Sequence, residues 1–123
     1  MGFHRLPDAE LEVMQAVWNS VPPVSRTDVE RILNKTRPMA ATTILTLLSR
    51  LENRKFLTID KLDKSNCYTP IVSKRDYLAL QGKSFLDKLC GGDIRVFATA
   101  LCDSGLSKED IEELRRLLEG EEL

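Results

Sequence analysis

Hydroxyl and amide side chains recur beside an arginine in residues 39–55, which read MAATTILTLLSRLENRK. Apolar residues at i, i+3, i+4 and i+7 predict a helix with one aliphatic face. That face consists of Ile44, Leu47, Leu48 and Leu51. The polar side of the same helix presents Thr42, Thr46, Ser49 and Asn53, with Thr43 and Arg50 on one shoulder and Leu45 and Glu52 on the other.

These polar side chains suit the recognition of DNA. Short hydroxyls and amides can donate to phosphate oxygens or to base edges, and arginine can bind guanine through two hydrogen bonds. Taken alone, the pattern fits a solvated helix rich in threonine equally well. The segments on either side of the helix favour the DNA hypothesis.

Residues that could assemble an active site are scarce. His4 is the only histidine, and the sequence has no nucleophile elbow, phosphate-binding loop or metal-ligand spacing. Carboxylates of the last predicted helix, such as Glu112 and Glu113, fit a solvated face. We therefore predict no enzymatic activity, no cofactor and no bound metal.

Charge is unevenly spread along a chain of 123 residues whose net charge is −1. Residues 31–64 hold eight basic and three acidic side chains, whereas residues 73–123 are net acidic. This asymmetry favours a DNA-facing half and a separate association half.

No stretch approaches the roughly 20 apolar residues of a membrane span, and the N-terminus lacks the apolar core of a signal peptide. We expect a cytoplasmic protein without membrane insertion.

Three cysteines, Cys67, Cys90 and Cys102, are widely spaced and odd in number. Without a CxxC pair they indicate neither a zinc site nor a disulfide framework. We interpret all three as small buried apolar residues, with a redox-sensing thiol as an alternative.

Two predicted helices precede the 39–55 segment. The first runs from Asp8, as its N-cap, to about Asn19, and uses Trp18 as a core anchor. Pro22 and Pro23 end it, and Val24 could form a very short strand. The second helix begins at Ser25 with a capping box and ends near Lys35. A short helix, a turn and a second helix in this order match the helix-turn-helix spacing.

Two apolar segments follow, at residues 56–62 and 67–72, separated by the turn cluster of residues 63–66. A hairpin directly after the third helix is a wing. Lys61 and Lys64 lie at or near its tip, where we expect them to contact phosphates; the alternative is solubility and protection of the strand edge.

Three more helices are predicted at residues 73–90, 94–101 and 107–118, with Gly82 interrupting the first, Gly91 and Gly92 ending it and Asp93 capping the second. They carry more apolar surface than about 50 residues can hide alone, so they either fold back on the winged domain or pair with a second chain. We predict the pairing with a second chain. The fold is predicted to be mainly α with a small β wing: a winged helix-turn-helix domain at 1–72, then a helical dimerisation domain at 73–123. The predicted dimer contacts are Tyr77, Phe85, Leu86, Leu89, Phe97, Leu101, Ile111, Leu114 and Leu118.

Several segments in the same order resemble the penicillinase repressor family of the BlaI/MecI type. They are LPDAELEVMQAVW at 6–18, TTILTLLSRLENRKFL at 42–57, YTPIVSKRDY at 68–77, SFLDKLCGG at 84–92 and LSKEDIEELRRLL at 106–118. The resemblance implies a homodimer that binds a palindromic operator on double-stranded DNA and represses transcription, often of β-lactam resistance genes or another stress operon. On the recognition helix the matching positions are Thr42, Thr43, Thr46 and Arg50.

The chain departs from the family pattern in three places. Many members carry a basic residue in place of Thr42 or Leu45, so the base sequence read here should differ. The Asn-Phe bond that a membrane sensor protease cuts in better-known members is replaced by Thr99-Ala100, which argues against that partner. Copper-responsive relatives carry paired cysteines near the C-terminus, which this chain lacks. A winged-helix module that binds another protein, and a thiol-responsive regulator, are the competing hypotheses.

Overall fold

The computed structural model describes residues 5–120 of the chain. Six helices and two strands follow one another within these residues, which confirms the predicted, mostly helical fold with a small wing. The elements are α1 (Asp8–Trp18), α2 (Arg26–Leu33), α3 (Ala41–Asn53), β1 (Leu57–Leu62), β2 (Ser65–Pro70), α4 (Lys74–Lys88), α5 (Ile94–Asp103) and α6 (Lys108–Leu118).

Helix boundaries follow local capping. Ser25 forms the predicted capping box with Asp28, and Ser107 forms a capping box with Asp110. Helix α1 differs from the prediction, because its N-cap is Pro7 and Asp8 is already helical. Proline has no N–H that would need a partner at a helix start. Asp8 instead places its negative charge in the first turn, where the helix dipole favours it.

The wing is a tight antiparallel hairpin. Its register pairs Leu57 with Pro70 at one end and Leu62 with Ser65 at the other. The turn is therefore shorter than predicted, because Asp63 adopts a positive φ of 59° and lets pairing resume at Ser65. Pro70, which cannot donate to the ladder, closes the strand as expected.

Val24 confirms the predicted short strand. It forms an isolated bridge with Tyr68, whose backbone N–H donates to the Val24 carbonyl at 2.8 Å. This bridge joins the segment before α2 to the wing, so the helix-turn-helix and the hairpin share one core.

The chain divides into two compact units, Met1–Leu80 and Gln81–Leu123, with the division inside α4 rather than at the predicted position between residues 72 and 73. Helix α4 runs through Gly82, so this glycine does not break it.

The first unit contains the apolar core, against which the predicted anchor Trp18 packs. The Trp18 Nε1 donates to the Val72 carbonyl at 2.9 Å. The fully buried core residues include Leu6, Val13, Met14, Val17, Val24, Val29, Ile44, Leu48, Leu51, Leu57 and Tyr68.

The cysteines differ from one another in burial. Cys67 is half-buried, Cys90 is buried and Cys102 is exposed, and all three are free thiols. The expectation of three buried cysteines is therefore wrong for Cys102, because α5 has no buried residue. Among residues 5–120, no group of three or more His, Cys, Asp or Glu side chains is placed to hold a metal ion. His4 lies outside the described residues.

Candidate nucleic-acid interface

Helix α3 has the two faces that its sequence predicted. Ile44, Leu48 and Leu51 have no exposed surface, and Leu47 is only 5% exposed. This apolar face packs into the core of the first unit. Because the aliphatic residues recur at helical spacing, burying them forces the remaining side chains of α3 outward.

The predicted DNA-contacting side chains of α3 all lie on its exposed surface: Thr42, Thr43, Thr46, Ser49, Arg50 and Asn53. One detail differs from the sequence expectation. The hydroxyl of Thr46 donates to the Thr42 carbonyl of the preceding turn at 3.0 Å. In this arrangement the Thr46 oxygen can accept a hydrogen bond but has no proton left to donate outward.

An ion pair with one buried partner fixes the C-terminal end of α3. Arg54, the C-cap residue, donates from Nε to Glu10 Oε1 on α1 at 2.6 Å, and the Glu10 side chain is only 4% exposed. On another edge of the unit, Arg37 pairs with Glu12 at 2.9 Å. These two arginines are therefore engaged in holding the fold together.

Other cations of the basic segment face solvent. Arg50, Lys61 and Lys64 are exposed, and within residues 5–120 the structure shows no ion pair to any of them. Lys64 lies in the hairpin turn, and Lys61 pairs with Asn66 beside it in the register. The wing therefore presents its two lysines near the tip, as predicted.

A shallow cleft lies between the start of α2, the exposed shoulder of α3 and the start of β2. It has a volume of about 220 Å³ and is lined by Ser25, Arg26, Thr27, Leu45, Ser65, Asn66 and Tyr68. The sequence predicts Ser25 as a helix cap, but no local pattern in it places this residue beside the wing. The capping box marks where α2 begins, but only the Val24–Tyr68 bridge brings that helix start beside β2.

The predicted dimer contacts fall in different environments. Tyr77 is 2% exposed inside the core of the first unit, where its hydroxyl accepts the Leu6 backbone N–H at 2.8 Å. It also packs against the rings of Trp18 and Phe56, at centroid distances of 5.7 and 5.6 Å. The assignment of Tyr77 to a subunit contact is therefore wrong, because its side chain is already enclosed by its own unit.

The second unit leaves most of its apolar side chains in solvent. Helices α5 and α6 contain no buried residue. Phe85 and Phe97 contact each other, with ring centroids 5.5 Å apart. Of the other predicted contacts, three are exposed, namely Leu89, Ile111 and Leu118, and three are half-buried, namely Leu86, Leu101 and Leu114.

Comparisons with known proteins agree with this architecture. The chain is 32% identical to the Penicillinase repressor of Bacillus licheniformis over 94% of its length and 90% of that protein. It is 28% identical to the Methicillin resistance regulatory protein MecI of Mammaliicoccus sciuri, over 94% of both chains. The solution structure of the DNA binding domain of the repressor BlaI matches 62% of this chain and 92% of that domain, with 33% identity and a TM-score of 0.52. A family model described as Penicillinase repressor matches residues 6–120, and the chain therefore belongs to the penicillinase repressor family.

Proposed function

We propose that this chain is a cytoplasmic transcriptional repressor that binds double-stranded operator DNA as a homodimer. One observation carries the proposal: α3 is anchored by a fully apolar face while its hydroxyl, amide and arginine side chains remain exposed. Such a helix can enter the major groove without unpacking the core. The names of the relatives, which are repressors and regulators, agree with this function.

In this proposal each part of the first unit has a separate role. Arg50 binds a base edge, and the hydroxyl and amide groups of α3 contact base edges or phosphates. Lys61 and Lys64 on the wing neutralise phosphates, which strengthens binding to any sequence without selecting among sequences. None of the helices among residues 5–120 has the length and apolar character needed to span a membrane.

The second unit supplies the dimer contact in this proposal. Two copies related by twofold symmetry would bury the apolar residues that α5 and α6 leave exposed. The recognition helices of such a dimer should read two half-sites about 34 Å apart. Release by cleavage at Thr99-Ala100 is not part of the proposal, because the Asn-Phe signal is absent from this position.

The test is DNA binding by the full-length chain and by Arg50→Ala. A bound duplex is first selected from a random-sequence pool, and its affinity is measured by fluorescence anisotropy over a range of salt concentrations. We expect the wild-type affinity to fall with salt by about 0.9 log units per log unit of salt for each phosphate contacted. Arg50→Ala should lower affinity for the selected duplex about 10- to 100-fold.

The control is Arg75→Ala, which removes an exposed arginine from α4 and should leave binding unchanged. Failure to select any bound duplex at low salt would contradict the repressor function and favour a protein-binding module. Equal affinities for wild type and Arg50→Ala would show that Arg50 does not contact a base.

A further inference from the structure

Leu45 is the one large aliphatic residue of α3 that the core does not take up. It is 42% exposed, whereas Ile44 and Leu48 on either side of it are fully buried. It lies on the shoulder of the polar face that includes Thr42 and Ser49. If α3 enters a groove, the Leu45 side chain must meet the surface of the DNA.

The cleft beside Leu45 contains polar groups that could anchor DNA. The cleft contains the first turn of α2, with Ser25 and Thr27, and the strand residues Ser65 and Asn66. The hydroxyls, the amide and the backbone N–H groups of Arg26 and Thr27 suit contact with a phosphate, whereas the N–H groups of Ser25 and Asp28 are used by the capping box. No carboxylate lines this cleft. A backbone phosphate held there would position Leu45 against the edge of a nearby base pair.

The neighbouring threonine adds to the apolar character of this part of α3. Because the Thr46 hydroxyl proton is used by the Thr42 carbonyl, Thr46 offers its methyl group and an acceptor oxygen rather than a donor. The major-groove edges of the bases carry hydrogen-bonding atoms and a single kind of apolar group, the C5-methyl of thymine. Covering a polar base atom with leucine would remove water without replacing its hydrogen bond, which is unfavourable.

We propose that Leu45 is a specificity-determining residue that packs against a thymine C5-methyl group in the major groove. The proposal rests on the proposed function and makes it more specific, since it states which base this shoulder of α3 selects. Replacing that thymine by deoxyuridine removes the methyl group and leaves the base pairing intact. The contact can therefore be tested without changing any hydrogen bond.

The experiment uses the full-length chain and the duplex selected above, with each thymine replaced in turn by deoxyuridine. We expect at least one position at which wild-type affinity falls about fourfold, the effect of exposing one methyl group. In Leu45→Ala the thymine duplex should be bound more weakly, and the same replacement should have no further effect. Leu45→Met, which keeps an apolar side chain of similar volume, should remain sensitive to the replacement.

Val21→Ala serves as the matched control, since it shortens an apolar side chain that is 85% exposed on the loop after α1. It should keep the wild-type sensitivity to deoxyuridine. The proposal is overturned if no thymine position is sensitive, or if the sensitive position stays equally sensitive in Leu45→Ala. Either result leaves the repressor function standing, whereas the absence of any bound duplex would overturn both proposals.

Discussion

Glu10 is a charged residue in an apolar core, and its partner Arg54 lies at the edge of that core. The Glu10 side chain is 4% exposed and the Arg54 side chain 42%. Removing one partner of such a pair costs most when the charge left behind is the buried one. Without Glu10, the Arg54 guanidinium still contacts water. Without Arg54, the buried Glu10 carboxylate has neither water nor an opposite charge beside it.

We therefore expect unequal costs from the two truncations. Arg54→Leu should lower the free energy of unfolding by about 2–3 kcal/mol, and Glu10→Gln by less than about 1.5 kcal/mol. Urea denaturation of each variant measures the difference. Arg37→Leu, which breaks the more exposed pair with Glu12, is the control and should cost under about 1 kcal/mol. Equal costs for the first two variants would show that the burial of Glu10 does not matter.

The burial of Glu10 could not be predicted from the sequence. Its partner Arg54 is 44 positions away, and glutamate in the first turn of a helix ordinarily faces solvent. In contrast, the buried face of α3 was predictable, because the helical spacing of Ile44, Leu47 and Leu51 indicates it within a few turns of a single helix. Local periodicity therefore predicts which side of α3 is exposed. Which charged side chains are held in ion pairs depends on contacts between residues far apart in the sequence, so it was not predictable.

At the scale of elements, the start of α2 is set by a reciprocal cap. The Ser25 backbone N–H donates to Asp28 Oδ2 at 3.0 Å, and the Asp28 N–H donates to Ser25 Oγ at 3.1 Å. The Ser25 backbone N–H has the largest effect and lowers the pKa of Asp28 below its ordinary value of 3.8. Burial opposes this to a smaller extent, and the Ser25 side chain and then Arg31, at 3.2 Å, lower the pKa further. The ionised carboxylate is thus favoured by the folded state.

The cap should make the stability of α2 depend on pH in one direction. A carboxylate whose pKa is lowered by folding stabilises the protein above its unfolded pKa, and this stabilisation is lost as pH falls through the folded pKa. Asp28→Ala should therefore lower the free energy of unfolding by about 0.5–1 kcal/mol at pH 7. We expect the difference from wild type to shrink as pH falls below 3.8.

Denaturant unfolding at pH 7, 5 and 3 measures this difference. Thr27→Ala, in the same turn but without a titrating group, is the control, and its difference from wild type should not change with pH. A pH-independent cost for Asp28→Ala would show that the folded protein does not favour the ionised carboxylate of Asp28.

Tyr77 shows why an element can be predicted correctly while a side chain on it is assigned wrongly. The apolar residues of α4 do not form a well-defined face, so its sequence does not indicate which of its side chains belong to the core of the first unit. The hydrogen bond from the Leu6 N–H to the Tyr77 hydroxyl joins residues 71 positions apart. It anchors the first turns of α4 in the core of the first unit, while the residues beyond Leu80 belong to the second unit.

At the scale of the whole molecule, the two units differ in how they hide apolar surface. The first unit encloses a continuous core, whereas the second unit leaves Leu89 at 73% and Leu118 at 78% exposed. Apolar residues exposed in such density mark an interaction site more often than an ordinary surface. Residues 73–123 are net acidic, which disfavours contact between this part of the chain and DNA.

Leu118→Glu tests whether this surface forms the proposed homodimer. Leu118 is the last residue of α6, so glutamate there should leave the helix intact while placing a charge in the interface. We expect sedimentation analysis to show a dimer for wild type and a monomer for the variant at the same concentration. Affinity for the full palindrome should fall at least tenfold, while a single half-site should be bound as by wild type.

The matched control is Leu62→Glu, which places the same charge on a leucine that is 53% exposed on the wing. It should remain dimeric, although its affinity for DNA should fall through repulsion from phosphates. The two variants therefore separate association from DNA contact, because each should lose one property and keep the other. A Leu118→Glu chain that stays dimeric would place the dimer contact elsewhere on the molecule.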